Sequence, residues 1–569
     1  MSEYLYDTRD LHFGLFEVLG MEASDELKEV LAQFYKFVAT EVWPTRAIGD
    51  KEGTTLTPEG VKAPHCYHHI KKLFYDNGWF ALGMPEDVGG MDVPNAVTVA
   101  CSSCMNGANV AFNNYLALSK GALNLILKLG TATQKSIYVD KMISGTWGGT
   151  MCLTEAGAGS DVGAVVTSAE KLPSGKYSIK GTKTFITSGE SDLYCNNIHL
   201  VLARTSAAIE GTKGLSLFIV PRFDVETGKS NNVICTKVED KIGIHSSATC
   251  EMTFGEFGEC VGELLGNEMD GMVNMFLLMN EARLLCGIQG ESQANSATLL
   301  SLKYARERVQ FAKEIYKHPD VSRLLLKMQA TSRGMRALIL YVANLFDHAD
   351  KNPEVNTEIA LLTPICKAYC SDHGVNVALD AIQVHGGYGL CRDYGIEQYV
   401  RDTKVAAVYE GTNGIQALDF VMRKILRDKG SGLQALLEKI TKEVTLAEQF
   451  GKQFGAQQWS EELQLFKTVL QELQLILKKF AQISPETILA YASDTLTFCG
   501  HLIVGWQLLC HANVAATQLS RGPEDEENKH YLQSKLLDFR IFCRHLLTQN
   551  LGIAHNILRF GLPLNTTSH

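Results

Sequence analysis

One acid in this chain has no partner in the nearby sequence and stands where it could act on a ligand. Glu410 lies in the stretch VYEGTNGIQALDFVMRKIL, Val408 to Leu426, and the next acid, Asp419, is nine residues further on. The glycines and asparagine that follow Glu410 predict a tight turn, and the backbone of such a turn can approach a ligand closely. Two interpretations fit this stretch: a charge that stabilises a helix end, which is the commoner arrangement, and a base directed at a ligand.

A second candidate is the glycine-rich stretch MCLTEAGAGSDVGA, Met151 to Ala164. Its glycines and Ser160 leave backbone N–H groups free to face a phosphate or the edge of a flavin, and Thr154 adds a side-chain donor. A short glycine motif on its own is a weak signal. Taken alone, the stretch indicates a turn between two strands.

Two further stretches could contribute to a site for a ring system. In KTFITSGE, Lys183 to Glu190, strand alternation puts Phe185 and Thr187 on one side, where one can stack on a ring and the other can hydrogen-bond its edge. In QVHGGYGLCRD, Gln383 to Asp393, paired glycines end a helix. Taken singly, these are an ordinary strand and an ordinary helix stop.

The size and composition of the chain limit its class. At 569 residues it is too long for one core and must form several domains. An apolar content of 46% and a charged content of 20% are ordinary for a globular protein. The formal charge of −10 argues against a dedicated nucleic-acid binder, because no basic surplus exists to neutralise phosphates. Fifteen singly scattered cysteines suit a reducing compartment, so we expect a cytoplasmic protein.

Neither the N-terminal segment nor the most apolar later stretch predicts targeting to a membrane. The N-terminal MSEYLYDTRDLHFGLFEVLG carries acids before any base and only short apolar runs, unlike a secretory signal or a transit peptide. The most apolar later stretch, FCGHLIVGWQLLCHANVAA, is interrupted by His501, Gln507 and His511. A membrane span needs about twenty mostly apolar residues, so we expect a soluble protein.

Changes in hydrophobic period predict four domains. Residues 1–148 have the helical period, residues 149–265 have the period of two that is typical of short strands in a small barrel or sandwich, and residues 266–430 are helical again. RDKGSG, Arg427 to Gly432, is typical of a linker, and residues 431–569 form an extra helical block. Apolar residues of this block step by three and four, which predicts a stripe that must be buried: Leu463, Phe466, Leu470, Leu473, Leu477 and Phe480.

Together and in this order, the four stretches resemble the acyl-CoA dehydrogenase family. CLTEAGAGSDVGA satisfies one family signature, and QVHGGYGLCRDYGIEQYVRD satisfies the other except at Gln398, where Lys or Arg is usual. Matching motifs run from about residue 78 to about residue 425. The resemblance implies a mainly α fold of an N-terminal helical domain, a middle β-barrel and a helical bundle. The N-terminal YDTRDLHFGLFEVLG and the extra C-terminal helical block are similar to a bacterial branch that contains larger long-chain and 3-methylmercaptopropionyl-CoA dehydrogenases.

The resemblance implies FAD-dependent α,β-dehydrogenation of an acyl-CoA thioester to trans-2-enoyl-CoA. A base removes a proton from the α carbon, and the β hydrogen leaves as hydride to flavin N5. Glu410 resembles the family's base. Poor solvation between Tyr409 and a closed pocket would raise its pKa toward the working pH, and its backbone N–H would receive the thioester oxygen. On this interpretation the acid lacks a protein partner because its partner is the substrate.

Some branches of the family place the base instead on a helix, just before the arginine that matches Arg283. In this chain that position is Ala282. Glu281, one residue earlier, is displaced by roughly 100° around the helix. The resemblance therefore leaves Glu410 as the base.

The resemblance also assigns cofactor and substrate contacts, and it implies no metal. The FAD contacts are Met151, Leu153, Thr154, Gly159 and Ser160; Phe185, Ile186 and Thr187; Arg308, Gln310 and Phe311 of RERVQFAKEI; and Gln383, Val384, Gly386, Gly387, Thr412 and Asn413. An arginine suits a diphosphate because it stays charged and bonds in a fork. The acyl-CoA contacts are Ser160, Asn280, Arg283, Tyr409 and Gly411.

The resemblance implies that electrons pass to an electron-transfer flavoprotein. Two alternatives stay open: an oxidase of the same fold that reduces oxygen directly, and a DNA-associated flavoprotein. From Thr441 to His569 there are 11 basic and 12 acidic residues, which disfavours DNA binding. Family members of ordinary length are commonly tetramers. We expect the extra block to cover the surface that a second dimer would use and to leave a homodimer, with the tetramer as the alternative.

Several other candidates favour plain structural roles. His65 and His69 of HCYHH are four residues apart, but no further ligand has suitable spacing, so we expect surface histidines. Cys101 and Cys104 stand in a small-residue helical segment and are predicted to be core residues. His385 in the glycine motif is expected to support its neighbours, because the implied reaction needs only one base.

Overall fold

The computed structural model describes residues 5–205, 209–349, 352–453 and 459–559. The chain forms two compact units. The helical unit comprises Met1–Leu31, Pro94–Gly107 and Glu281–His569, and the mixed unit comprises Ala32–Val93 and Ala108–Asn280.

Helices dominate the chain. In order they are α1 (Thr8–His12), α2 (Asp25–Phe37), α3 (Thr45–Glu52), α4 (His65–Asp76), α5 (Asn95–Leu129), α6 (Ala132–Ile143), α7 (Gly271–Glu307), α8 (Pro319–Phe346), α9 (Pro353–His385), α10 (Glu397–Thr403), α11 (Asn413–Leu418), α12 (Ser431–Gln453), α13 (Ser460–Phe480), α14 (Pro485–Ala490), α15 (Ala492–Arg521), α16 (Glu526–Phe542) and α17 (Gln549–Arg559). None of the described helices is long and apolar enough to cross a membrane.

The strands are short. They are β1 (Thr55–Thr57), β2 (Gly60–Lys62), β3 (Trp147–Cys152), β4 (Ser168–Lys171), β5 (Tyr177–Thr187), β6 (Asn196–Arg204), β7 (Leu215–Pro221), β8 (Val233–Val238), β9 (Thr249–Phe254), β10 (Val261–Leu264), β11 (Val309–Gln310) and β12 (Lys313–Glu314).

The mixed unit is built on one β-sheet that closes on itself. Strands β10, β7, β6, β4 and β5 are neighbours in that order, and β10 also pairs with β5. Strand β3 runs parallel to β6, while β9 and β8 extend the sheet beyond β5. The residues of β6 up to Ala203 are buried, which is why its sequence reads as a nearly continuous apolar run. The β1–β2 hairpin lies among helices where the sequence predicted only helices and loops.

The long helices α7, α8 and α9 carry the helical unit's core. Their ends follow from local chemistry. Pro319 and Pro353 stand in the first turns of α8 and α9, where a missing N–H costs nothing. Helix α9 ends at Gly386, whose φ of 61° is easy for glycine alone, so the predicted helix stop is the actual one.

The extra block, α12 to α17, packs on helices of its own chain. Helix α15 lies against α8 and α9, and α16 also lies against α8. The apolar stripe of α13 faces α12, α15 and α17. Its most buried members are Leu463, Phe466, Val469, Leu473, Ile476 and Phe480. Leu470 and Leu477 of the predicted stripe are only half-buried, because the buried face is rotated toward Val469 and Ile476.

The predicted linker Arg427 to Gly432 is shorter than expected. Only Arg427 to Gly430 form a turn, and α12 already begins at Ser431. The Asp428 carboxylate accepts hydrogen bonds from the Ser431 hydroxyl at 2.8 Å and from the Gly432 N–H at 2.7 Å. Asp428 thereby acts as a helix cap and draws two of the predicted linker residues into the helix.

A buried charge network holds the N-terminal segment to the helical unit. The Tyr6 hydroxyl donates to Glu291 at 2.8 Å, and Arg336 contacts Glu291 at 3.1 Å. Arg336 and Lys535 both pair with the buried Asp10. Segment 5–12, α7, α8 and α16 therefore share one set of compensated charges, and removing one member would leave another uncompensated.

Candidate active site

The turn that carries Glu410 has a strained and well-anchored backbone. Glu410 has a φ of 54° and Gly411 a φ of 81°, and the first value is costly for a residue with a side chain. The Gln416 amide holds the turn by donating to the carbonyl oxygens of Glu410 at 3.2 Å and Gly411 at 3.1 Å. The Thr412 hydroxyl caps α11 by accepting from the Ile415 N–H at 3.3 Å. This strain presents the Glu410 side chain in one orientation.

Within the described part of the chain, the Glu410 carboxylate makes no hydrogen bond or ion pair. Its surface remains accessible to solvent, yet burial by the surrounding protein raises the pKa of the carboxyl, with nearby Lys367 acting in the opposite direction. The Tyr409 N–H bonds to the Val405 carbonyl at 3.2 Å, whereas the Glu410 N–H donates to no acceptor among the described residues.

Tyr409 and Arg283 are both tied to neighbouring helices. The Tyr409 hydroxyl donates to Gln289 of α7, and burial raises the pKa of that hydroxyl well above its usual range. Arg283 is buried, and its guanidinium pairs with Asp419 at 2.7 Å. The Nε of Arg283 has no hydrogen-bond partner among the described residues, and it is buried as well. This predicted substrate contact is therefore buried and paired within the protein.

Sequence reasoning missed Lys367, which lies on α9 behind the Glu410 turn. Its side chain is fully buried, and its ammonium donates to Asn413 Oδ1 at 2.8 Å. Asn413 Nδ2 donates to Ser371 at 3.0 Å and to the Ala368 carbonyl at 3.3 Å. The Asn413 side chain is therefore bonded within the protein, and a contact with FAD falls to its backbone. In the sequence Lys367 is only the lone base of the apolar run LLTPICKAYC, which does not by itself indicate a functional residue.

In the mixed unit, a buried ion pair fixes the glycine-rich stretch to β5. The Lys183 ammonium contacts Glu155 at 2.8 Å and the Leu153 carbonyl at 2.9 Å. Glu155 also accepts from the backbone N–H groups of Val166 at 2.8 Å and Thr167 at 3.0 Å. The pair thus connects both ends of the loop that holds Thr154, Gly159 and Ser160 to the strand that holds Phe185.

The predicted flavin contacts of the mixed unit fit a polar ring system. A bulge between Lys183 and Ile186 and a φ of 57° turn Phe185 outward, so that it is 63% exposed. The adjacent Thr184 and Ser188 hydroxyls have no hydrogen-bond partner among the described residues, but they are buried beyond the reach of a ligand. Gly159 has open space around it. An exposed aromatic ring and open backbone suit a flavin. Ile186 is buried, so its predicted contact falls to its backbone.

The predicted FAD contacts of the helical unit suit a diphosphate. Phe311 and Ala312 have φ values of 52° and 60° and form the tight turn between β11 and β12, which leaves Phe311 92% exposed. Arg308 lies over the Tyr388 ring at 5.6 Å and has no ion pair in the described part of the chain. Gly387 is surrounded by open space. A free guanidinium beside accessible glycine backbone is the donor set that a diphosphate requires.

The remaining predicted contacts are placed as follows. Met151, Leu153, Thr154 and Thr187 are half-buried, Gln383 and Gly386 are exposed, and Val384 is buried. Gln310 lies in β11 with its carbonyl 3.1 Å from His318, and Asn280 lies in α7.

The plain structural candidates have ordinary partners. His65 contacts Glu52 at 2.8 Å, and His69 lies 4.0 Å from Glu41. His385 stacks on Tyr304 with ring centroids 4.2 Å apart and hydrogen-bonds the Ala381 carbonyl. Cys101 and Cys104 are buried in α5.

Sequence models of acyl-CoA dehydrogenase domains match most of the chain. The N-terminal domain matches residues 24–146, the middle domain 150–257 and the C-terminal domain 270–426. A further model, described as acetyl-CoA dehydrogenase C-terminal like, matches residues 436–563. With the relatives given next, these matches show that the chain belongs to the acyl-CoA dehydrogenase family. The family and fold predicted from the sequence are confirmed.

Relatives with an extra C-terminal block of this size span nearly the whole chain. The 3-methylmercaptopropionyl-CoA dehydrogenase of Ruegeria pomeroyi is 36% identical over 566 residues, covering 96% of this chain and 94% of the relative. The broad-specificity linear acyl-CoA dehydrogenase FadE5 of Mycobacterium tuberculosis is 35% identical and covers 96% of each chain. The crystal structure of an acyl-CoA dehydrogenase from Bacillus anthracis complexed with FAD shares the fold, with a TM-score of 0.77 at 21% identity over 98% of this chain and 91% of that chain.

Acyl-CoA dehydrogenases are FAD-dependent oxidoreductases that act on CH–CH bonds, and this chain is an enzyme of that class.

Proposed function

We propose that the protein oxidises an acyl-CoA thioester to trans-2-enoyl-CoA, with Glu410 removing the α proton. The observation that carries the proposal is the pair of free groups on one turn. The Glu410 carboxylate is accessible, unpaired within the described residues and has a raised pKa, and the backbone N–H of the same residue has no acceptor.

A carboxylate with a raised pKa is a better base at neutral pH than an ordinary one, because its proton affinity is closer to what the transfer requires. As the α proton leaves, negative charge develops on the thioester oxygen. The free Glu410 N–H would stabilise that charge by donating to the oxygen. Bound FAD supplies the acceptor for the two electrons that leave with the β hydrogen.

The neighbours of Glu410 support orientation of the thioester. Tyr409 and Gly411 flank the base, and the hydrogen bonds from Gln416 restrict how the turn can move. We assign Ser160, Asn280 and Arg283 to the rest of the acyl-CoA, as the resemblance implies.

The FAD contacts are those of the two groups described above. Phe185 with the open backbone at Gly159 would hold the flavin, and Arg308 with the Gly386–Gly387 backbone would hold the diphosphate. The exposure of Phe185 and Arg308 and the open space around these glycines support this assignment.

For the electron acceptor we propose an electron-transfer flavoprotein, in a reducing compartment that suits fifteen free cysteines. The competing acceptor is oxygen. Oxygen uptake by the FAD-loaded enzyme with acyl-CoA should be slow relative to dye reduction. Uptake at the full turnover rate would identify an oxidase.

The proposal is tested by the product and by isotopic substitution of the α carbon. A panel of acyl-CoAs of four to eighteen carbons, with 3-methylmercaptopropionyl-CoA, should include substrates that bleach the flavin under anaerobic conditions and yield the 2-enoyl thioester. Deuterium at both α positions should slow bleaching several-fold, whereas deuterium in the terminal methyl group should not. Bleaching without an enoyl product would contradict the proposed reaction. Bleaching without an α isotope effect would mean either that the α proton is not removed or that its removal does not limit the rate. Exchange of the α proton with solvent, measured separately, distinguishes these two cases.

A further inference from the structure

The helical unit contains a buried lysine that the reaction as described does not use. Lys367 lies on α9 and is fully buried. Burying an ammonium is costly unless it is paired and hydrogen-bonded. Burial lowers the pKa of Lys367 to about 8, so the side chain is mostly charged at neutral pH.

The hydrogen bond of Lys367 goes to a neutral acceptor. Its ammonium donates to Asn413 Oδ1 at 2.8 Å, and Ser371 donates to the same oxygen at 3.3 Å. Asn413 is the first residue of α11 and stands three residues after Glu410. Lys367 therefore anchors the helix into which the Glu410 turn leads.

The Lys367 ammonium interacts electrostatically with groups on three elements. These groups are Arg283 and Cys286 on α7, Asp372 on α9 and Glu410 on the turn. Arg283 is already paired with Asp419, and burial raises the pKa of the Cys286 thiol and keeps it neutral. Asp372 and Glu410 are both exposed carboxylates, and of the two it is Glu410 that stands on the turn that Lys367 anchors through Asn413.

We propose, on the basis of the function proposed above, that Lys367 is a positioning residue for Glu410. Its ammonium fixes the Glu410 turn through Asn413, and its positive charge favours the deprotonated carboxylate that accepts the proton.

The two parts of this role have different signatures. Lys367 lowers the pKa of Glu410 against the effect of burial. Because the base is active when deprotonated, the rate rises as pH rises through the pKa of Glu410. This rise is the acidic limb of the pH–rate profile. A neutral residue at position 367 should move this limb to higher pH. Loss of the anchor alone should instead lower the rate at every pH.

The experiment measures single-turnover flavin reduction by one acyl-CoA between pH 5 and pH 9 in FAD-loaded variants. Lys367→Met and Lys367→Gln both remove the charge, and Gln keeps a donor for Asn413. Both should shift the limb to higher pH. Lys367→Arg, which keeps the charge, should leave it near the wild-type position. Asn413→Ala should lower the rate without moving the limb.

Lys327→Met is the matched control. Lys327 lies on α8 and pairs with Asp380 at 2.8 Å, so its loss removes an ammonium from the same unit. Its limb should coincide with that of the wild type. FAD content and thermal unfolding of each variant show whether it is folded, and either neutral variant suffices for the test.

An unmoved limb in a folded neutral variant would overturn the proposed role, and so would an equal shift in Lys367→Arg. The limb must also vanish in Glu410→Gln. If Glu410→Gln keeps normal reduction, the proposed function fails. If it is inactive while the limb of Lys367→Met stays in place, only the role of Lys367 fails.

Discussion

At the scale of single residues, the site depends on polar groups that the protein leaves unsatisfied. In the described part of the chain, the Glu410 carboxylate makes no hydrogen bond or ion pair, its N–H donates to no acceptor, and Arg308 makes no ion pair. Both side chains are exposed, so a ligand can reach them. Acyl-CoA and FAD are the proposed partners of these groups.

Arg308→Ala tests the diphosphate contact. The substitution removes a guanidinium that has no protein ion pair, so apoprotein stability should change little. Loss of a charged hydrogen bond should weaken FAD binding by about 1.5–3 kcal/mol. The variant should purify with less FAD and regain it when FAD is added in excess. Arg306→Ala, at an exposed site two residues earlier, is the control. Wild-type FAD affinity in Arg308→Ala would place the diphosphate elsewhere.

At the scale of elements, the flavin loop depends on one buried ion pair. Lys183→Met would leave the Glu155 carboxylate buried without its cation, at a cost of about 3–5 kcal/mol. The backbone N–H groups of Val166 and Thr167 would still donate to the Glu155 carboxylate, so we expect a loss of stability near the lower figure. Urea unfolding should show this loss, and FAD content should fall. Lys180→Met, at an exposed position of the same strand, should change neither. A Lys183→Met protein with normal stability and FAD content would contradict the role of the pair.

Element types were predictable from sequence where periodicity is strong, and less so where tertiary contacts decide. The middle strands and the helix stop at Gly386 follow from alternation and glycine. Each strand of the β1–β2 hairpin has three residues, too few for the alternating pattern of a strand to be recognised. The buried face of α13 depends on where α15 and α17 lie. It includes Val469, where the sequence pattern predicted Leu470. Lys367 could be found only with its burial and its contact to Asn413, because a lone lysine in a helix is ordinarily a surface residue.

At the scale of the whole molecule, the extra block has a defined place on its own chain. Helices α15 and α16 cover α8, and α15 also covers α9. We propose that this occupies the surface that a second dimer would need and that the protein is a homodimer. Light scattering should give about twice the chain mass of 62.6 kDa. A mass near four chains that persists on dilution would show that the block does not replace the dimer–dimer contact.

The central claim is that the Glu410 carboxylate removes the α proton, and anaerobic single-turnover bleaching in Glu410→Gln tests it most directly. The amide is close in size and cannot accept the proton, so the variant should keep FAD and bind acyl-CoA. Flavin reduction should slow by at least about 10²–10⁴-fold, the usual contribution of a positioned base. Glu281→Gln, the acid nearest the alternative position, should reduce its flavin at close to the wild-type rate. Near-normal bleaching in Glu410→Gln would contradict the claim.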